Sequence, residues 1–100
     1  MKSLPYIISK KAIADLDEIW YYTVEKWSAE QANRYYDLIF QEIDCICKRP
    51  LSGKSLNDIR KGYRVSKVKS HLVFYKVVDE TIEIIRILHQ RMDIETHLNE

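Results

Sequence analysis

The stretch T-I-E-I-I-R-I-L-H-Q-R-M-D-I-E, Thr81–Glu95, decides the fold. Between Thr81 and His89 only Glu83 and Arg86 interrupt a run of Ile82, Ile84, Ile85, Ile87 and Leu88. A short run so rich in β-branched residues reads as a strand. Because it is apolar at almost every position, it reads as a central strand covered on both faces. On a two-residue period Arg86 shares a side with Ile82, Ile84 and Leu88, while His89 shares the other with Ile85 and Ile87. A guanidinium set among isoleucines is too costly to keep unpartnered, so Arg86 must meet a carboxylate or open into a groove.

Upstream, His71–Val78 is a second apolar run, and before it Tyr63, Val65 and Lys67 alternate with Arg64, Ser66 and Val68. The breaks at Lys69-Ser70 and Asp79-Glu80 are two-residue hairpin turns without glycine, so three strands run as an antiparallel meander. Further upstream lie two helical patterns. Ser9 is the N-cap of a helix with Ile13, Leu16, Trp20, Val24 and Trp27 on one stripe. Ser28, followed by Gln31 at capping-box spacing, starts a second helix striped by Ala32, Tyr35, Ile39, Ile43 and Ile46, with Tyr36, Phe40 and Cys47 widening the apolar face, and Pro50 marks its end. With almost no loop between them, the two form an antiparallel hairpin. Leu4–Ile8, led by Pro5, suits an edge strand. The order predicts an α+β fold: an N-terminal strand and a two-helix hairpin packed on a four-stranded sheet completed by the meander.

A chain of 100 residues, 46% hydrophobic and 31% charged, is expected to fold as one domain over residues 1–100. The net charge of +1 is unevenly spread: Lys54–Lys76 holds seven basic residues against one acid, whereas the first fifty hold seven against eight. One side should therefore carry a positive field that attracts phosphates or an acidic protein. Cys45 and Cys47 sit two apart in a helical pattern, where neither a disulfide nor a shared metal is easy. They read as small apolar residues of a reducing compartment. With no membrane-length apolar run and no signal-peptide region, the expectation is a cytoplasmic protein.

Arg64, Arg86, His89 and Arg91 lie at or near ends of adjacent strands and could converge on one groove. Guanidiniums and an imidazole there would suit a phosphodiester, as in a metal-independent ribonuclease. The same residues would equally form ion pairs with Asp79, Asp93 or Glu95, or a surface for an acidic peptide. No glycine-rich phosphate loop or metal-ligand spacing is present, so no cofactor and no metal are expected. Ser66 and Ser70, though near His71, read as strand or turn residues.

The sequence resembles the RelE/ParE superfamily of toxin-antitoxin toxins, and within it the ParE branch. The resemblance covers nearly the whole chain. It rests on Y-x-I-S-x-x-A-x-x-D-L-x-x-I-W-x-Y from Tyr6 to Tyr22, K-G-Y-R-V from Lys61 to Val65, H-L-V-F-Y-K-V from His71 to Val77, and I-x-I-I-R-I-L-H-Q-R-M-D from Ile82 to Asp93. It implies the toxin of a type II, plasmid-stabilising system that inhibits DNA gyrase and blocks replication, neutralised by a ParD-type antitoxin that joins it as a hetero-oligomer. Neither sequence-specific nucleic-acid binding nor a membrane is implied. RelE-like relatives instead cut messenger RNA on the ribosome, usually with a tyrosine or histidine near the C-terminus. Here no tyrosine follows Tyr75, and Met92 and Asp93 occupy that region, which favours the ParE-like reading and no catalytic residues. A nuclease would use Arg64, Arg86 and His89; a third alternative is an inactive remnant that only binds its antitoxin. In the favoured reading Arg60, Arg64, Arg86, His89, Arg91 and Met92 contact the target or the antitoxin, and Arg86→Ala keeps the fold while weakening one or the other.

Overall fold

In the computed structural model, which describes residues 3–99, Ser9 begins the first helix as expected. Its hydroxyl oxygen accepts the Ala12 amide at 3.0 Å, which caps α1, Lys10–Lys26. Ser28 does the same for the Gln31 amide at 3.0 Å and opens α2, Ala29–Lys48. Trp27 and Ser28 alone join the helices, which pack against each other as the predicted hairpin. The stripe of α2 is as read, with Ala32, Ile39, Ile43, Ile46 and Cys47 buried. Cys45 is exposed, and both cysteines are free thiols.

The stripe of α1 differs from the expectation. Ala12, Asp15, Leu16 and Ile19 are its buried residues, whereas Ile13 is 48% and Trp27 is 74% exposed. The burial face is rotated by about one position, because the helix turns a carboxylate toward the sheet. A hydrophobicity pattern excludes such a residue from the core by construction.

The sheet has five strands, one more than predicted: in order across it, β1 (Tyr6–Ile8), β5 (Thr81–His89), β4 (His71–Val78), β3 (Arg64–Val68) and β2 (Lys54–Ser55). β1, Tyr6–Ile8, is an edge strand that pairs parallel to β5, Thr81–His89; Leu4 lies before it and bonds to the Cys47 carbonyl instead. β3, Arg64–Val68, β4, His71–Val78, and β5 form the antiparallel meander. Its turns pass at Lys69 and at Asp79-Glu80, and the last two both have positive φ, 50° and 58°, as a type I′ turn requires. The additional strand, β2, is the pair Lys54–Ser55 against β3. It is too short to carry a periodic signal. Tyr75 anchors it from below: its phenol, fully buried, donates to the Pro50 carbonyl and accepts the Gly53 amide, both at 2.9 Å.

β5 is central, with a core on each side. Ile82, Ile84 and Ile87 join α1, α2, Val73 and Tyr75 in one cluster. Leu88 joins Tyr63, Phe74 and Leu98 in another, with Val65, Leu72, Ile85 and Ile94 partly buried against it. The simple alternation predicted for this strand fails, because Phe74 pairs with Arg86 while the next residue, Tyr75, pairs with Ile84. Ile85 is the extra residue of a β-bulge, which shifts the period by one and returns Ile87 to the helix side. Leu98 comes from a short C-terminal helix, α3, Ile94–Leu98, capped by Asp93. Hydrogen bonds from the Thr96 side chain and amide hold the Asp93 carboxyl below its ordinary range.

Candidate functional site

β1 covers β5 only as far as Ile84, so the edge of β5 from Ile85 onward would be bare without α1. The Ser9 hydroxyl donates to the Ile85 carbonyl at 2.8 Å and so satisfies the bulge. Asp15, two turns along α1, closes the rest. Its Oδ2 accepts from Arg86 Nε at 2.8 Å and from the Ile87 amide at 2.9 Å, and its Oδ1 accepts from Arg86 Nη2 at 2.9 Å. Arg86 Nη1 donates in addition to the His97 carbonyl at 3.0 Å. The side chains of the pair are each 10% exposed. Arg86 thus meets its carboxylate, on α1 rather than at Asp79, Asp93 or Glu95, and ties α1, β5 and α3 together. Asp15 and Arg86 belong to two of the quoted motifs, 71 residues apart, and nothing local in either shows that they touch.

The remaining candidates do not gather into one groove. Arg64 pairs with Tyr75, at the level of Ile84, while His89 pairs with His71, the partner of Val68. Four strand residues, about 13 Å, separate the two levels. The Arg64 guanidinium is turned to the Gly53 and Leu51 carbonyls, at 2.7 and 3.3 Å. Arg60 bonds Asn99 at 2.7 Å and stands over the Tyr63 ring, on the side of the sheet away from the helices. The Arg91 amide donates to His89 Nδ1 at 3.1 Å, which assigns the His89 proton to Nε2 when the ring is neutral. Met92 is 41% exposed.

His89 and Met92 do line a cleft, of about 750 Å3, between the helix hairpin and the ends of β4 and β5. It brings in residues that sequence reading passed over. His71, opposite His89 in the register, lies edge-on to it with ring centroids 5.2 Å apart. Its Nδ1 is 2.5 Å from the Tyr35 hydroxyl of α2. Burial, with the neighbouring His89 adding to it, pushes His71 down to about 4, so the ring is neutral at physiological pH. Glu18, Tyr22 and Trp27 complete the helix side. Strand pairing was the available signal for the histidine pair: once the Lys69-Ser70 and Asp79-Glu80 turns are drawn, the register follows within a residue or two.

The face of the sheet away from the helices has a different character. Val65, Leu72, Ile85 and Ile94 are only partly buried there, and Lys67, opposite Leu72, and Lys76, near the Tyr63 ring, stand beside them. Among the described residues no group of three or more His, Cys, Asp or Glu is placed to hold a metal ion, and no helix is long and apolar enough to cross a membrane.

The same helix hairpin on one face of such a sheet occurs in chains of two solved toxin-antitoxin systems. The fold is similar to a chain of the chromosomal ParDE system of P. aeruginosa, with a TM-score of 0.76 at 21% identity, over 87% of this chain and 96% of that one. It is also similar to a chain of the RelBE2 toxin-antitoxin complex of Mycobacterium tuberculosis, with a TM-score of 0.61 at 20% identity, over 88% and 99%. In sequence, the chain is 43% identical over 94 residues to Toxin ParE1 of Caulobacter vibrioides, covering 94% of this chain and 97% of that protein. It is 40% identical, again over 94 residues, to Toxin ParE1 of M. tuberculosis H37Rv, covering 93% and 96%. The family model for the ParE toxin of type II toxin-antitoxin systems, parDE, matches residues 6–94. The chain belongs to the ParE toxin family.

Proposed function

We propose that this ParE-family toxin acts by binding rather than by catalysis: it inhibits DNA gyrase and is held inactive by a ParD-type antitoxin. One observation carries the reading against a nuclease. The arginines that would stabilise a cleaved phosphodiester are spent or dispersed, with Arg86 locked on Asp15, Arg64 turned to backbone carbonyls, and His89 about 13 Å along the strands from Arg64. A nuclease site needs such groups converged on one phosphate, held by preorganisation before the substrate arrives.

The antitoxin reading is supported by the sheet face away from the helices. A partly exposed apolar strip of Val65, Leu72, Ile85 and Ile94 beside Lys67 and Lys76 is complementary to an acidic amphipathic segment. Arg60 borders that face and Arg91 lies beyond the end of β5, both exposed. A neutral partner strip would gain the apolar burial but lose the electrostatic steering.

The test adds purified chain to gyrase with supercoiled plasmid and, in parallel, to a translation extract with messenger RNA. Accumulation of linear, protein-linked DNA with intact RNA is the expected result. Cleaved RNA with gyrase unaffected would overturn the proposal and return Arg64 and His89 to consideration as catalytic groups.

A further inference from the structure

The cleft on the helix side differs in chemistry from the basic sheet face. None of the described residues lining it is a lysine or arginine, although the chain as a whole carries net charge +1. Two carboxylates line it. Asp15 is consumed by Arg86, but Glu18, on the next turn of α1, has no hydrogen-bond or ion-pair partner among the described residues. Tyr22, one turn along α1 from Glu18, is 61% exposed, with Lys26 Nζ 6.0 Å from the centroid of its ring, and further along the cleft lie Tyr35 and Trp27, the latter 74% exposed. Its floor is the pair His71 and His89, the first held neutral by burial, so the floor adds no opposing positive charge from that ring.

A carboxylate without a partner, set among exposed aromatic faces in a concave site, is complementary to a planar organic cation. Aromatic faces attract cations through their negative quadrupole, and arginine is favoured over lysine because its guanidinium stacks on rings, forks onto carboxylates and is more weakly hydrated. We propose that this cleft receives an arginine side chain of a partner protein, with the guanidinium on Glu18 and its plane against Tyr22, one turn further along α1, and with Trp27 lining the cleft beyond them. A volume of about 750 Å3 accommodates that side chain together with apolar neighbours from the same segment. The site lies on the opposite side of the sheet from the strip assigned to the antitoxin, so it is independent of that assignment.

The probe is the blocked tripeptide acetyl-Ala-Arg-Ala-amide, titrated into the 15N-labelled full chain. Controls replace its arginine by citrulline, which keeps the shape without the charge, or by lysine; free L-arginine is a fourth ligand. The readout is the indole N–H resonance of Trp27, with Trp20, hydrogen-bonded to Asn33 at 3.3 Å, as internal reference for the fold. The expected result is a saturable shift of Trp27 but not Trp20 with the arginine peptide, at a dissociation constant of about 1–10 mM as befits a single side chain. Binding should weaken at least about fivefold in Glu18→Gln and with the lysine peptide, and vanish with citrulline. Equal shifts from the citrulline and arginine peptides, or no saturable Trp27 shift up to about 50 mM, would overturn the proposal. Lysine binding as tightly as arginine would overturn the assignment of the guanidinium. Free arginine binding without the peptide would make this a small-molecule site instead. A Trp27 shift on diluting the chain alone would show that a second copy occupies the cleft.

Discussion

Replacing Asp15 by alanine removes one carboxylate and strands three donors. Arg86 Nε and Nη2 lose partners at 2.8 and 2.9 Å, and the Ile87 amide loses one at 2.9 Å, at a place where both side chains are 10% exposed. Breaking a buried ion pair from one side costs about 3–5 kcal/mol, because the surviving charge stays desolvated. An orphaned buried amide costs about 1–3 kcal/mol by itself, and the two contributions overlap. We expect Asp15→Ala to lose about 4 kcal/mol, a quarter or more of the roughly 5–15 kcal/mol that holds a domain together. In urea this lowers the unfolding midpoint by about 2 M for a chain of this size. Arg86→Ala should fall by a comparable amount, contrary to the expectation that it leaves the fold intact. Any loss of toxicity in that variant must therefore be read against its unfolding curve. The double variant Asp15→Leu/Arg86→Met should recover at least about 2 kcal/mol of the loss, since two apolar side chains replace two charges and the partners lost are those of the Ile87 amide and the part-buried His97 carbonyl. A cost for Asp15→Ala below about 1 kcal/mol, or a double variant no more stable than the single, would refute the assignment of a buried, mutually dependent pair.

The His71 ring, at about 4 in the fold against 6.5 when unfolded, takes up its proton only in the unfolded chain as pH falls below 6.5, so stability drops through the window from 6.5 to 4 and is level above it. The full linkage is about 2 kcal/mol between pH 7 and 5, discounted to about 1 kcal/mol for a half-buried ring facing Tyr35, His89 and Glu18; thermal unfolding of wild type and His71→Asn across that range should show the slope in the first and its absence in the second. Gly53→Ala should destabilise by about 1–3 kcal/mol, measured by the same unfolding curves, because the new methyl would meet the buried Tyr75 ring, whose Cε1 lies 2.8 Å from that position, and displace the phenol from Pro50 and Gly53. Lys67→Glu with Lys76→Gln should weaken binding of an acidic antitoxin segment at least about tenfold at low salt while lowering the melting temperature only by the loss of the part-exposed Lys76–Glu83 pair; an unaltered affinity would move the antitoxin elsewhere.

Much of the architecture was legible along the chain because it is local. Ser9 and Ser28 cap the helices they were expected to cap, the second helix buries the stripe its periodicity marks, and the meander turns at Asp79-Glu80 without a glycine. The two-residue β2 was not legible, since pairing to β3 makes it a strand and its own residues do not. The grouping of the candidate residues was not legible. His89 lies against His71, whose ring in turn meets Tyr35, rather than beside Arg64.

The Arg86 question divides what the chain determines alone from what only folding decides. An arginine among isoleucines demands a partner, and that demand follows from the cost of a bare buried charge, whatever the fold. The partner's identity does not follow. It depends on a bulge at Ile85 that resets which residues face the helices, and on β1 stopping short so that α1 can lay Asp15 along the open edge of β5. Alternation and capping are set by neighbours a few residues apart, whereas this pairing joins residues 71 positions apart and exists only once helix, strand and bulge are assembled.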